Sequence, residues 1–233
     1  NPALLLHFEE AANARTFADN SGWVRHGTCA AATCPTSGVA GQYGSAVQFT
    51  GTQVISIVHS ALSEVSGGFS IAAWVNPASL IGTQRLIASA RTRSNDGFAL
   101  GLNGANPQFS ALGVKDFNFN APLTTNTWTH VAVVVETDNS VELYVNGLWH
   151  STITSTVSIT PDLDDAMLLG GTTVVSSTTL SEAYNGRLDE VVSVQRALAA
   201  DEIRTLAQRQ AAGVSSVQVA YQSNLPGSPF YNE

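Results

Sequence analysis

Residues 185–204 read NGRLDEVVSVQRALAADEIR. The Asn185-Gly186 pair at the start predicts a tight turn. Apolar side chains then recur mostly on one side of an extended run, which predicts a strand: Leu188, Val192 and Val194. After Arg196 the apolar spacing lengthens to three or four residues, which predicts a short helix. The run therefore predicts a turn, a strand and a closing helix.

Two adjacent carboxylates, Asp189 and Glu190, interrupt the apolar side of this strand. A buried charge has to be paired or has to bind a metal, so the pair needs an explanation. Adjacent residues of a regular strand point to opposite faces, and we therefore expect these two to be separated. A glycosidase needs two carboxylates that face each other about 5–9 Å apart, so the spacing disfavours that chemistry.

The length of 233 residues fits one large all-β domain or two small domains. Of the 233 residues, 44% are hydrophobic and only 12% are charged, which is typical of secreted β-proteins with a Ser-, Thr- and Asn-rich surface. The net charge is -8 and Lys115 is the only lysine, which disfavours nucleic-acid binding and is compatible with a divalent cation. No apolar run reaches the roughly 18–20 residues of a membrane span.

Two cysteines, Cys29 and Cys34, lie close together in a loop rich in Ala and Thr. In an oxidising compartment they predict a disulfide that contributes about 2 kcal/mol; the alternative is a pair of free thiols. No further Cys or His pair has a spacing suited to zinc. We therefore predict a Cys29–Cys34 disulfide and an extracellular or cell-surface location.

The remaining chain contains about a dozen short alternating segments separated by polar turns. Asp138-Asn139-Ser140 predicts a hairpin turn, and no βαβ alternation occurs. The pattern predicts an all-β fold of two packed antiparallel sheets, a sandwich or jelly roll, over residues 1–210. Residues 211–233 predict a linker or tail, in which 217–221 could add an edge strand. We expect this chain to be part of a longer protein with covalently linked neighbouring domains.

Several segments occur in the order typical of a known family. They read YGSAVQFTG (43–51), FSIAAWVNP (69–77), WTHVAVVV (128–135), VELYVNG (141–147) and GRLDEV (186–191), followed by RAL at 196–198. The ordered set resembles the laminin-G-like, concanavalin A-like jelly-roll modules of secreted and surface proteins. The similarity covers roughly residues 4–209 and implies a two-sheet jelly roll with one short C-terminal helix.

The resemblance also implies a calcium ion, Ca2+, held between an early turn and the late strand. The matching positions are Asp19, Asn20, Ser21, Gly22 and Asp189. Calcium takes six to eight oxygen ligands, which carboxylates and turn carbonyls supply. The alternative is an Asx turn at Asp19, with Asp189 solvated or paired with an arginine.

Carbohydrate binding would use exposed aromatic rings and polar side chains around a sugar. The candidate ligand-binding residues are Trp23, Trp149, Tyr184, Arg93 and Asn118. Phe117 also lies in or near a loop and could be exposed, and Asn120 could supply polar contacts. Trp74 and Trp128 lie in strands and are expected in the core.

These observations favour a non-catalytic, calcium-stabilised extracellular module that binds a glycan or a cell-surface partner. One alternative is a structural spacer or adhesion module with no sugar ligand. A glycoside hydrolase or polysaccharide lyase on the same fold is less favoured, because the five histidines are dispersed and the required carboxylate pattern is missing.

Overall fold

The structure, a computed structural model, describes residues 1–58, 67–89, 97–159, 166–175 and 177–209. Within these ranges the chain forms short strands followed by one helix. The strands are β1 (Leu4–Leu6), β2 (Thr16–Phe17), β3 (Gly27–Thr28), β4 (Thr36–Ala40), β5 (Ser45–Thr50), β6 (Ile55–Ile57), β7 (Phe69–Pro77), β8 (Thr83–Ser89), β9 (Phe98–Asn103), β10 (Asn106–Ala111), β11 (Lys115–Asn118), β12 (Thr129–Val135), β13 (Val141–Val145), β14 (Leu148–Ile153), β15 (Met167–Leu169), β16 (Thr172–Thr173), β17 (Leu180–Ser181) and β18 (Asn185–Val194), and the helix is α1 (Ala200–Arg209).

Two large antiparallel sheets carry the fold. The first sheet has the order β14-β13-β12-β7-β18-β5-β4, and β1 also pairs with β18. The second sheet has the order β11-β10-β9-β8-β15-β6-β3-β2, and β16 and β17 form a separate pair. This arrangement confirms the predicted all-β, two-sheet jelly-roll sandwich.

The core fills the space between the two sheets because apolar residues alternate along the strands. The first sheet contributes Phe69, Ile71 and Val133, and the second contributes Phe98 and Phe109. The ring centroids of Phe69 and Phe98 lie 5.8 Å apart, so the sheets are joined by aromatic contacts. A side chain that is excluded from this core therefore points to an outer face.

The helix packs on the outer face of the first sheet. Leu198, just before the helix, and Ile203 on it cluster with Val192, Val194 and Ala72 of the sheet. The apolar spacing after Arg196 thus predicted a helix correctly. The helix has ten residues, and no helix in the described ranges is long and apolar enough to cross a membrane.

The predicted Cys29–Cys34 disulfide is confirmed. The bond closes a short loop between β3 and β4. The predicted tail at 211–233, including 217–221, lies outside the described residues, so the proposed domain boundary stays a prediction.

Candidate functional site

The acidic pair of the last strand lies at a β-bulge. The pairing of β18 with β7 shifts register between Asp189 and Val192, and Glu190 has a φ of 52°. Both carboxylates are buried, and Glu190 Oε2 lies 2.7 Å from His7 Nδ1. Burial lowers the pKa of His7, but the contact with Glu190 and the charge of Asp189 raise it, and the net shift is upward. The regular alternation that predicted opposite faces for the pair therefore does not hold at this bulge.

Asp189 is only partly satisfied by hydrogen bonds. Its Oδ2 accepts the Tyr43 amide at 3.0 Å, whereas its buried Oδ1 has no partner among the described residues. Burial, together with the charges of Glu190 and Glu9, raises the pKa of Asp189 to about 7, although hydrogen bonds from the Tyr43 and Gln42 amides lower it. A buried, repelled carboxylate with a free oxygen is the environment that a bound cation stabilises.

The 41–45 turn surrounds this carboxylate with oxygen atoms. A Cβ at Gly41 would lie 2.7 Å from Asp189 Oδ2, 2.7 Å from the Ser45 carbonyl oxygen and 2.8 Å from that of Tyr43. The Glu9 carboxylate accepts the Ser45 amide at 3.0 Å and would collide with a Cβ at Gly44. The turn needs glycine at both positions because these oxygens converge on it.

The donor set suits a hard cation better than a transition metal. Within the described ranges, no group of three or more His, Cys, Asp or Glu side chains is placed to hold a metal ion. Asp189 lies next to the carbonyl oxygens of Ser45 and Tyr43, and Glu9 lies against Gly44 of the same turn; calcium accepts such a mixture of oxygens. The oxygen donors beside the 41–45 turn are therefore of the type that calcium accepts.

The Asp19–Gly22 turn has a different organisation. Asp19 Oδ1 accepts the amides of Leu5 at 3.0 Å and Ser21 at 2.9 Å, and Oδ2 accepts the Ser21 hydroxyl at 2.7 Å and the Arg25 amide at 2.9 Å. These hydrogen bonds hold the pKa of Asp19 below its usual value in spite of its burial. In the described part of the chain, no hydrogen bond or ion pair joins this turn to Asp189. Asp19 anchors an Asx turn through the Ser21 amide, and its role as a calcium ligand stays a prediction.

Six polar side chains on the outer face of the second sheet form a hydrogen-bonded set that we call the polar row. They are Arg85, Asn103, Gln108, Ser110, Asp116 and Asn118. The residues that alternate with them along the strands, such as Leu102, Phe109 and Phe117, belong to the core. Strand alternation therefore directs the polar row away from the core.

Hydrogen bonds connect the polar row across four strands, and Asn103 Nδ2 of β9 donates to Asn118 Oδ1 at 3.1 Å. Arg85 Nη1 donates to Gln108 Oε1 at 2.8 Å and to Ser110 Oγ at 2.9 Å. The Ser110 hydroxyl donates to Asp116 Oδ1 at 2.5 Å, and the Gln108 amide donates to Asn118 Oδ1 at 2.7 Å. Each side chain is thus held in one orientation by its neighbours.

A glycine makes these links possible. Gly101 lies between Arg85 and Gln108 in the strand register. A Cβ at Gly101 would lie 3.2 Å from Arg85 Cδ and would collide with the Gln84 carbonyl oxygen. The missing side chain leaves the space through which Arg85 crosses β9 to reach β10.

The polar row changes from buried to accessible along its length. Arg85, Gln108 and Ser110 are buried, and Glu182 Oε2 accepts from Arg85 Nε at 2.7 Å. Asn103, Asp116 and Asn118 are exposed. The buried part fixes the geometry, and the exposed end offers amide and carboxylate groups to a ligand.

A separate groove of about 290 Å³ lies beside the loop before β12 and the β13–β14 turn. Its polar lining includes Asn120, Thr124, Asn146 and His150. The Asn146 side chain is already engaged, because its Oδ1 accepts the His130 amide at 3.0 Å. This groove offers fewer interconnected polar groups than the polar row.

The predicted ligand-binding residues do not form one cluster. Asn118 belongs to the polar row, Trp23 lies in the loop before β3, and Trp149 lies on the edge strand β14; both tryptophans are 57% exposed. Tyr184 is fully buried, so the expectation that it is exposed is wrong. Its hydroxyl donates to the Arg187 carbonyl oxygen at 3.1 Å, which explains how the polar atom is accommodated.

The other expectations about burial and exposure were confirmed only in part. Trp74 is buried as expected, whereas Trp128 precedes β12 and is only half-buried. Phe117 is a core residue, so its expected exposure is wrong, and Asn120 is exposed. Arg93 lies outside the described residues.

The sequence profile of a laminin G-type family, described as the concanavalin A-like lectin/glucanases superfamily, matches residues 49–204. The chain belongs to this superfamily. Among curated proteins, no sequence matches it. This assignment agrees with the two-sheet architecture. The superfamily includes both binding domains and glycoside hydrolases.

Solved structures of sugar-binding proteins share the fold. Domain 4 of AbnA, a GH43 extracellular arabinanase from Geobacillus stearothermophilus in complex with arabinotriose, is 20% identical with a TM-score of 0.65; the match covers 89% of this chain and 98% of that domain. The Ruminococcus gnavus IT-sialidase CBM40 bound to α2,3-sialyllactose is 15% identical with a TM-score of 0.55, covering 70% and 96%.

The receptor-binding domain of botulinum neurotoxin type G is also similar, at 14% identity and a TM-score of 0.64. That match covers 90% of this chain but only 51% of the neurotoxin domain, so the chain spans about half of its length. At these identities, the similarities establish the fold alone.

Proposed function

We propose that this chain is a non-catalytic, calcium-stabilised module that binds carbohydrate on the outer face of its second sheet, within a larger extracellular protein. The polar row is the observation that carries the proposal. Its exposed end presents two amides and a carboxylate: the buried Gln108 and Ser110 orient Asn118 and Asp116, and Asn118 in turn orients Asn103. Such groups bind sugar hydroxyls, and pre-orientation lowers the entropic cost of binding.

The surroundings of the titratable groups support a non-catalytic role. Asp189, whose pKa rises to about 7, is fully buried beside the 41–45 turn and out of reach of a substrate. Burial lowers the pKa of His130 to about 3 in a fully enclosed position. Neither group is placed to exchange a proton with a bound glycan.

Similar folds and the disulfide support the remaining parts of the proposal. The arabinanase domain and the CBM40 domain were solved with arabinotriose and sialyllactose, so the shared fold is compatible with sugar binding. Disulfides persist in oxidising compartments, and Cys29–Cys34 therefore favours an extracellular setting.

Calcium has a structural role in this proposal. Asp189 and Glu9 would hold the ion together with carbonyl oxygens of the 41–45 turn, replacing the Asp19 turn expected from the sequence. The unpartnered Oδ1 of Asp189 and the saturated carboxylate of Asp19 support this choice. The bound ion would offset the repulsion among buried carboxylates and tie β18 to the turn before β5.

A glycan array followed by calorimetric titration of its hits tests carbohydrate binding. We expect Asn118→Ala to weaken binding about tenfold, because one oriented hydrogen-bonding group contributes roughly 1–1.5 kcal/mol. The matched control is His150→Ala, which removes a polar side chain from the separate groove. Loss of binding in the His150 variant alone, or no binding to any glycan, would refute the proposed site.

A further inference from the structure

We infer that the polar row selects neutral glycans and discriminates against sugars that carry a carboxylate. The inference rests on the proposed carbohydrate binding and specifies the chemical class of the ligand. It follows from the charges that the described structure places on this face. Three features contribute: a neutralised guanidinium, exposed carboxylates and a lysine that points elsewhere.

The positive charge of the polar row is already neutralised within the protein. Arg85 Nε lies 2.7 Å from Glu182 Oε2, and Nη1 donates to Gln108 and Ser110. Arg85 is only 4% exposed. A ligand carboxylate would have to enter a buried network and displace these acceptors, so Arg85 is not available as an anion-binding group.

Among the described residues, the charges that a ligand meets at the accessible end are negative. Asp116 is exposed and uses Oδ1 to accept the Ser110 hydroxyl, and the Glu182 side chain is 34% exposed. Carboxylate oxygens only accept hydrogen bonds, so they suit the hydroxyl donors of a neutral sugar. A sugar carboxylate at the same place would be repelled.

The nearby lysine does not offset this negative charge. Lys115 pairs with Ala111 in the β10–β11 register, and Ala111 belongs to the core side of the sheet. The Lys115 ammonium lies over the Phe117 ring, 4.9 Å from its centroid, and donates to Ser155 Oγ at 3.2 Å. The ammonium is therefore directed away from the polar row, and the chain as a whole carries a net charge of -8.

Paired glycans provide the test. The array contains neutral members and acidic counterparts with the same backbone: xylotriose with glucuronosyl-xylotriose, lactose with sialyllactose, and methyl-esterified with free trigalacturonate. For every pair that binds, we expect the full chain to bind the neutral member about fivefold more tightly, the factor that corresponds to two like charges about 4 Å apart in water. Raising the salt concentration should narrow the difference.

Two variants assign the origin of the preference. Asp116→Asn keeps an acceptor for Ser110 and removes the charge, so the neutral-to-acidic ratio should fall several-fold. Asp201→Asn makes the same change on the exposed first turn of α1 and should leave the ratio unchanged. Equal or tighter binding of the acidic members, or an unchanged ratio in the Asp116 variant, would overturn the inference while leaving glycan binding intact. Binding of no pair member in any variant would refute the proposed function itself.

Discussion

Arg85 and Glu182 form an ion pair of 2.7 Å on the outer face of the second sheet, although 97 residues separate them in sequence. The Arg85 amide also donates to the Glu182 carbonyl oxygen at 2.8 Å, so backbone and side chain are held together. This double contact fixes the guanidinium that orients Gln108 and Ser110. The polar row is therefore organised from its buried end.

Removal of calcium should destabilise the protein. At calcium concentrations a hundredfold above the Kd, binding to the native state alone contributes about 2.7 kcal/mol. We expect chelation to lower the Tm by several degrees, measured by differential scanning calorimetry. Asp189→Asn should abolish the difference between chelated and calcium-loaded samples.

The matched control for that experiment is Asp19→Asn. This variant weakens the acceptor of four hydrogen bonds and should lower the Tm equally with and without calcium. If wild-type protein melts at the same temperature in chelator and in calcium, no stabilising ion is bound. If Asp19→Asn and Asp189→Asn both remove the calcium response, the sequence-based site between the Asp19 turn and Asp189 is correct.

The alternating apolar residues predicted the sandwich because strand periodicity depends on neighbours in sequence. The polar row was harder to predict from the sequence, because Arg85, Gln108 and Asp116 come from three strands and meet only through the strand register. Asn118 was the one member identified from the sequence. Gly101 gave no signal of its role, because the crossing of Arg85 that explains it depends on the same register.

Only part of the group of carboxylates formed by Asp189, Glu190 and Glu9 could be predicted from the sequence. Asp189 was identified by its apolar context, but its proximity to Glu9 and the 41–45 turn depends on pairing between distant segments. The positive φ of Glu190 has no local signal, because glutamate is not a residue that favours this region. Tyr184 was a candidate for an exposed ligand-binding ring, whereas tertiary packing against Phe49 buries it.

Glu202 should stabilise the start of α1 in a pH-dependent way. Its carboxylate accepts from Arg196 at 2.7 and 2.6 Å and from the Ala199 amide at 3.0 Å, in the manner of a capping box. We expect Glu202→Gln to lower the free energy of unfolding by about 0.5–1 kcal/mol at pH 7, discounted for the solvent exposure of the pair. Urea unfolding measures the difference.

The same difference should disappear in acid. Hydrogen bonds from Arg196 hold the pKa of Glu202 below its ordinary value of 4.5. The stabilisation is therefore fully present above pH 4.5 and is lost as the pH falls through the pKa of the folded state. A Glu202→Gln variant whose deficit persists unchanged well below that pH would contradict this account of the ion pair.

His130 should make the protein sensitive to mild acid. Its imidazole packs 5.5 Å from the Trp74 ring, and neither ring nitrogen has a partner in the described part of the chain. Burial lowers its pKa to about 3, so the unfolded state takes up a proton near pH 6.5 while the folded state does not. This group therefore reduces stability as the pH falls from 6.5 toward 3, by up to roughly 1.4 kcal/mol per pH unit.

Replacement by an apolar residue of similar size should remove this dependence. We expect His130→Leu to flatten the decrease in unfolding free energy between pH 6.5 and 4.5, measured by urea unfolding at several pH values. Parallel curves for the two proteins would show that the imidazole is not kept neutral by burial.

The most direct test of glycan binding on the polar row is an NMR titration of the isotope-labelled chain with the best glycan from the array. We predict that amide shifts change mainly in β9, β10 and β11, around Asn103, Asp116 and Asn118, and that Asn118→Ala reduces them. Shift changes confined to the groove near Asn146 and His150, or to the surroundings of Trp23 or Trp149, would contradict the account, as would the absence of any change at saturating glycan.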